Sequence, residues 1–107
     1  MTLDFRLKKE KDFNLVFGKG KRAFSDSLTL IYLPAKNLKA GFAVSKKHGG
    51  SVKRNRIKRL LRESFRSFLP QFRENFFFVF IPKIQEEYSL NIFISDMKKM
   101  FKKSKIL

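Results

Sequence analysis

Lysine and arginine residues are concentrated in one segment, and their chemistry is the binding of phosphate groups. Between residues 46 and 66, nine of 21 residues are basic and only Glu63 is acidic. Arg contacts phosphate oxygens through paired hydrogen bonds, and Lys binds them as a point charge. Like charges on a helix repel each other unless a polyanion neutralises them. The segment predicts a phosphate-binding interface with RNA as the expected ligand, and its candidate residues are Lys46, Lys47, Lys53, Arg54, Asn55, Arg56, Lys58, Arg59, Arg62 and Arg66.

A helical projection separates most of these charges from an apolar face. At 100° per residue, one side carries Ile57, Leu60, Leu61, Ser64, Phe65 and Phe68, and the other carries Asn55, Arg59, Arg62 and Arg66. The first turn is also basic, although the helix dipole disfavours cations there. A bound polyanion would remove this repulsion and would also use the free N–H groups of the turn.

Two other interpretations of the basic helix are weaker. A merely solvated face usually mixes charges of both signs, whereas Glu63 is alone here. A membrane-surface helix also has a basic face, but the apolar side of this helix is needed to cover the core of a small domain. We therefore expect no membrane partner.

The overall composition agrees with a folded, polyanion-binding domain. The 107 residues allow one domain with one core. A net charge of +16 favours nucleic acid as a partner. With 43% hydrophobic residues, the chain is not a disordered basic tail. The absence of Cys excludes disulfides, thiolate zinc sites and a Cys nucleophile. Because no signal-peptide or membrane-spanning run is present, we expect a cytoplasmic location.

Catalysis by the polypeptide itself is disfavoured. A metal-dependent nuclease needs several convergent carboxylates, and the nine acidic residues here are scattered. A metal-free ribonuclease often uses two titrating groups such as a His pair, but His48 is the only His. We expect no catalytic residue and no protein-bound metal, and we expect His48 to face solvent or RNA.

The remaining pattern gives the elements that must position these residues. Helices are predicted over residues 7–17, 52–68 and 86–103, and strands over 23–33 (split at Ser25-Asp26), 40–45 and 75–81. The run 75–81 is continuously apolar, as expected for a central strand. Predicted core residues are Phe42, Phe76, Phe78 and Phe80 of the strands and Leu90, Phe93, Ile94, Met97 and Phe101 of the last helix.

This order predicts an α+β domain, α-β-β-β-α-β-α, with helices packed on one sheet of about four strands. A helix-turn-helix DNA-binding protein needs two consecutive short helices, whereas strands flank the basic helix here. We therefore expect no DNA partner.

Three motifs resemble one known family. The run KRNRIKRLLR, residues 53–62, resembles the signature of the bacterial ribonuclease P protein family, an Arg-Asn-Arg core followed by x-Lys-Arg-x-x-Arg. The preceding GFAVSKKHG, residues 41–49, resembles the family's Gly-Phe-x-Val-Ser-Lys-Lys strand and loop. Phe13, Val16, Phe17 and Gly20 resemble its Phe-x-x-Val-Phe-x-x-Gly helix. The motifs occur in the family's order along the whole chain.

The resemblance implies a fold and a role. The fold is like the second domain of ribosomal protein S5, with a left-handed βαβ crossover through the basic helix, and residues 1–107 form a single RNA-binding domain. The role is that of a protein subunit that joins a catalytic RNA, which cleaves the 5′ leader from precursor tRNA and holds most of the Mg²⁺ ions. A ribosomal or other structural RNA-binding protein without a processing role is the alternative.

The resemblance also assigns residues. Phe13 and Phe17 match the family's leader-binding cleft on the first helix, and Tyr32 matches the cleft residue on the sheet, while Lys46 and Lys47 match its basic loop. The chain departs from the family pattern at four positions. His48 replaces an aliphatic residue, Gly50 an Asn or basic residue, Ile81 a frequent Arg, and Ala43 a frequent Ser.

Overall fold

A computed structural model describes residues 5–107, so the single predicted domain is described over that range. Three α-helices and four strands follow one another in the predicted order. Their bounds are α1 Glu10–Lys19, β1 Lys21–Phe24, β2 Leu28–Pro34, β3 Lys39–Phe42, α2 Ser51–Arg66, β4 Phe76–Pro82 and α3 Leu90–Lys103. Short 3-10 turns at Lys46–His48 and Leu69–Gln71 flank α2.

The four strands form one mixed sheet in the order β1-β2-β4-β3. β1 pairs antiparallel with β2, and β2 pairs antiparallel with β4. β3 pairs parallel with β4, and α2 forms the connection between these two neighbouring strands. β4 therefore lies inside the sheet, as its continuous apolar sequence predicts.

One face of the sheet is covered by α2 and α3. Phe65 of α2 lies at its centre, with its ring centroid 5.4 Å from that of Phe78 and 5.6 Å from that of Phe80. Phe93, Met97 and Phe101 of α3 complete this core, as predicted. Phe42 and Ile94, predicted as core, are only half-buried and lie at its margin, and Leu90, also predicted as core, is half-buried as well.

Over residues 5–107, the opposite face is covered by α1 and by Leu7, which precedes it. Val16 of α1 packs on Ile31 and Val79, and all three are buried. Helix α1 begins at Glu10 rather than at residue 7, because the preceding residues pair with the outer edge of β3. The Leu7 N–H donates to the Ala40 carbonyl, and the Ala40 N–H donates to the Phe5 carbonyl. Phe5 thereby enters one core and Leu7 the other.

The third helix starts later than its composition predicts, at Leu90 rather than at residue 86. The Ser89 hydroxyl accepts a hydrogen bond from the Ile92 N–H and so caps the helix. Before it, the Tyr88 hydroxyl donates to the Lys83 carbonyl and accepts from the Gln85 N–H, which fixes the preceding loop. Among the described residues, no helix has both the length and the apolar character needed to cross a bilayer.

Candidate nucleic-acid interface

The basic residues of α2 form a surface that we call the α2 ridge. Ile57, Leu61, Ser64 and Phe65 hold the helix to the core. The buried Ser64 hydroxyl donates to the Leu60 carbonyl and needs no other partner. The ridge comprises the exposed Lys53, Asn55, Arg56, Arg59 and Arg66 and the half-buried Arg54, Lys58 and Arg62. The structure therefore confirms that α2 is amphipathic, with the predicted apolar side on the core and the basic side outward.

The charges of the α2 ridge are only partly balanced by nearby acids, since Glu86 and Glu87 line a cavity with Lys53 and Arg56. Over residues 5–107, no ridge side chain forms an ion pair. Lys53 places its ammonium 5.8 Å from the centre of the Tyr88 ring, a cation–π distance. The buried Nε atoms of Arg54 and Arg62 have no hydrogen-bond partner.

The basic loop lies directly before the ridge. Lys46 and Lys47 are exposed in the 3-10 turn, and the chain then passes through Gly49 to α2. Gly49 has φ 131°, which other residues rarely adopt, and a Cβ there would lie 2.7 Å from Lys53 Cδ. Gly50 at the N-cap provides no side chain for the first N–H groups of α2. Loop and ridge together present cations and backbone donors on one continuous stretch of chain.

His48 contradicts its prediction as a solvent-facing or RNA-touching residue. Only 6% of it is exposed. Its Nδ1 accepts from the Ser45 N–H at 3.0 Å, so its Nε2 carries the proton and donates to the Pro82 carbonyl at 2.7 Å. The ring thus ties the basic loop to the end of β4. The partner lies 34 residues away in sequence, so no local pattern could have indicated this burial.

The two aromatic residues predicted on the first helix lie on the sheet side that α1 covers. The Phe13 ring is half-buried and occupies the space above Gly41, where any Cβ would collide with it. Phe17, one turn later, is 38% exposed. Phe13 is therefore fixed against β3, whereas Phe17 keeps a surface that a ligand can reach.

Tyr32 does not join them, and its placement in the same cleft was wrong. Neighbouring side chains of a strand point to opposite faces, and Tyr32 points to the face covered by α2 and α3. Its ring packs edge-on against Phe76, with the centroids 6.1 Å apart. Ile31 is the residue that points toward α1, and it is fully buried. Tyr32, the predicted cleft residue, is thus one position along β2 from Ile31, which faces α1.

A row of side chains beside α1 forms what we call the cleft floor: Phe24, Thr29, Ile81 and Ala43. Phe24 pairs with Thr29, and Thr29 pairs with Ile81, so their side chains share a face. Ala43 follows β3 next to Ile81 and donates its N–H to the Phe80 carbonyl. The adjacent row, which contains Ile31 and Val79, is buried under α1, while the floor is half-buried at three positions and exposed at Phe24.

A protein-bound metal ion needs several carboxylate or imidazole groups close together. Over residues 5–107, no three His, Asp or Glu side chains gather closely enough to hold a cation.

Comparisons with known proteins agree in one family. A family model described as Ribonuclease P matches residues 1–105. The chain is 32% identical over 108 residues to the ribonuclease P protein component of an Exiguobacterium species, covering 99% of this chain and 95% of the relative. It is 38% identical over 88 residues to that of Finegoldia magna, covering 81% and 78%.

Solved structures give the same answer for the fold. The ribonuclease P protein from Thermotoga maritima superposes with a TM-score of 0.81 at 25% identity, covering 92% of this chain and 96% of that one. The Staphylococcus aureus ribonuclease P protein gives a TM-score of 0.84 at 24% identity, covering 97% and 98%.

Proposed function

The chain belongs to the ribonuclease P protein family, and from this membership we propose that it is the protein subunit of ribonuclease P. In this role it joins a catalytic RNA and assists that RNA in cleaving the 5′ leader from precursor tRNA. Its partners are the catalytic RNA and the precursor, rather than DNA or a membrane, and its location is the cytoplasm.

The observation that carries this proposal is the α2 ridge, which exposes Arg and Lys side chains without ion-pair partners in residues 5–107. Phosphate contacts of this kind supply affinity and orientation without reading sequence. If the ridge and the basic loop neutralise about six phosphates, the logarithm of the affinity should fall against the logarithm of salt with a slope of about −4 to −5.

The two surfaces have separate tasks in this proposal. The α2 ridge, together with Lys46 and Lys47, binds the catalytic RNA. The cleft beside α1, with Phe17 at its exposed side and Phe13 at its base, binds the single-stranded leader. Packing of bases on aromatic rings tolerates any sequence and is worth about 1–3 kcal/mol per base. Leaders of different sequence can therefore use one site.

The polypeptide binds and orients in this scheme and does not perform the cleavage. The catalytic RNA holds most of the Mg²⁺ ions and supplies the reacting groups. The scattered acidic residues and the buried, doubly hydrogen-bonded His48 support this division. Most of the charged side chains exposed on the ridge are cations, which stabilise phosphates but do not hold Mg²⁺.

Reconstitution tests the proposal. We expect the protein, mixed with a bacterial ribonuclease P RNA at low Mg²⁺, to restore cleavage of precursor tRNA at the mature 5′ end, and we expect the RNA-free protein to leave the precursor intact. RNA binding without any gain in cleavage would favour a structural RNA-binding protein instead. Correct cleavage by the RNA-free protein would refute the non-catalytic role.

A further inference from the structure

The cleft floor ends on an exposed aromatic residue that no packing role explains. Phe24 is 64% exposed and is the most exposed Phe of residues 5–107. It lies on β1, the outer strand of the sheet next to β2. An exposed Phe gains little from folding, since burial of such a side chain is worth about 1.5–3 kcal/mol. Its ring is free to contact a ligand that crosses the sheet.

The rest of the floor is apolar in this chain. Ala43 and Ile81 are packed against the α1-side core, and Thr29 provides the one hydroxyl of the row. The floor offers carbon contacts and one hydroxyl but no charged side chain, so it suits the bases of a strand better than its phosphates.

Cations lie at both ends of this apolar row. Lys46 and Lys47 follow Ala43 at one end. At the other end, Arg22 pairs with Ile31 and so shares the face of Phe24. Its guanidinium donates to the Phe17 carbonyl, which places the charge of Arg22 beside α1. A polyanionic strand lying on the row would thus meet positive charge where it enters and where it leaves.

The length of the row matches a short single strand. It crosses four strands of the sheet, or three spacings, which amounts to roughly 14 Å. Stacked bases follow one another at about 3.4 Å, so this distance corresponds to about four nucleotides. An apolar floor of this length with cationic ends is complementary to single-stranded RNA.

We propose that Phe24 is an additional base-stacking residue, which extends the leader path from the α1 cleft across the sheet to β1. This inference rests on the proposed role in leader binding. The far part of the leader then lies on the row Ala43, Ile81, Thr29 and Phe24. The protein holds that part by stacking on its bases rather than by binding its phosphates.

Leader length provides the test. The reconstituted holoenzyme is titrated with precursor tRNAs whose leaders have about two nucleotides, too few to cross the row, or about eight. We expect Phe24→Ala to weaken binding of the long-leader precursor about tenfold and to leave the short-leader precursor unchanged. Phe24→Tyr, which keeps the ring, should retain wild-type affinity for both. Ile92→Ala, which truncates another exposed apolar residue (54%) on α3, is the matched control.

The outcomes separate this inference from the proposed function. If wild-type affinity rises with leader length and Phe24→Ala does not reduce the rise, the assignment of Phe24 is refuted while leader binding stands. If wild-type affinity does not depend on the leader at all, leader binding itself is refuted. An equal loss for both precursors would assign Phe24 to the tRNA body or to folding and would also overturn the proposal.

Discussion

The two faces of the sheet are covered to different extents, and their outer surfaces differ in chemistry. Two helices cover the face that contains Phe78 and Phe80, so that side exposes the outer surfaces of α2 and α3, and the outer surface of α2 is rich in Arg and Lys. Over residues 5–107, one helix of 10 residues and Leu7, which precedes it, cover the other face, and they leave a row of the sheet itself open. The α2 ridge is thus mainly cationic, whereas the cleft floor is mainly apolar and has cations only at its ends.

This difference separates two responses to salt. Binding through the α2 ridge releases counterions from RNA and weakens steeply as salt rises. Binding on the cleft floor buries apolar surface and stacks rings, which salt screens little. A protein with both surfaces can hold a structured RNA by its phosphates and a single strand by its bases, and experiments that vary salt and leader can address the two surfaces separately.

The largest expected effect is on the α2 ridge. Arg59→Glu replaces an exposed cation by an anion on the outer face of the helix. Since like charges across an interface cost several kcal/mol, we expect the affinity for ribonuclease P RNA to fall at least about tenfold at low salt. The slope of affinity against salt should become shallower by about one to two units. Filter-binding titrations at several salt concentrations measure both quantities.

Lys36→Glu is the matched control for this charge reversal. Lys36 is equally exposed but lies in the connection between β2 and β3, away from α2. It changes the net charge by the same amount, so it corrects for general electrostatic attraction. Equal losses for the two variants would show that net charge, rather than the α2 ridge, drives assembly.

Phe17→Ala and Tyr32→Ala should change different properties, the first the binding of precursor tRNA and the second the stability of the fold. Phe17 is exposed beside α1, so its truncation should lower the affinity for precursor tRNA about tenfold relative to mature tRNA. Tyr32 packs against Phe76 on the opposite face, so its truncation should lower the free energy of unfolding by about 2 kcal/mol. It should leave the ratio of the two affinities unchanged.

Leu15→Ala controls for truncation of an exposed apolar residue on the same helix, since Leu15 is 40% exposed and lies outside the α1-side core. The measurements are holoenzyme titrations with both tRNAs and denaturant unfolding of each variant. A reduced ratio for Tyr32→Ala with unchanged stability would return Tyr32 to the leader site and contradict the register of β2.

The α2 ridge could be predicted from the sequence because a helix has its own period. Ile57, Leu61 and Phe65 recur at helical spacing, and this places the intervening Arg residues outside without any knowledge of the fold. The cleft floor lacked such a signal. Strands β2 and β4 are apolar on both faces, so alternation does not show which face each residue takes, and a shift of one residue exchanged Ile31 for Tyr32.

Contacts between distant segments explain the other differences. The Gly-rich, basic surroundings of His48 indicate an exposed loop, but its hydrogen bond to the Pro82 carbonyl at the end of β4 buries it. The sequence predicts a helix that begins at residue 7, but residues 5–7 pair with the open edge of β3. In both cases a backbone group far away in sequence determined the outcome, and only the three-dimensional fold brings it within reach.

The smallest expected effect tests whether the cleft floor binds without charge. Ile81 is half-buried in the middle of the row, and Ile81→Arg introduces a cation there. The cation should contact a leader phosphate and should steepen the salt slope of precursor binding by about one unit. The affinity advantage of the Ile81→Arg variant over the wild type for precursor tRNA should therefore shrink about threefold between 50 and 200 mM salt.

Ile81→Gln separates this charge from the loss of apolar surface, because it is polar but neutral. We expect its salt slope to equal that of the wild type, with a modest loss of affinity at every salt concentration. For mature tRNA, which has no leader, the salt slope of binding should be the same for the wild type, Ile81→Arg and Ile81→Gln. If Ile81→Arg gave the wild-type slope for the precursor as well, no leader phosphate would lie within reach of a long cationic side chain at position 81, and the leader would have to follow another path past α1.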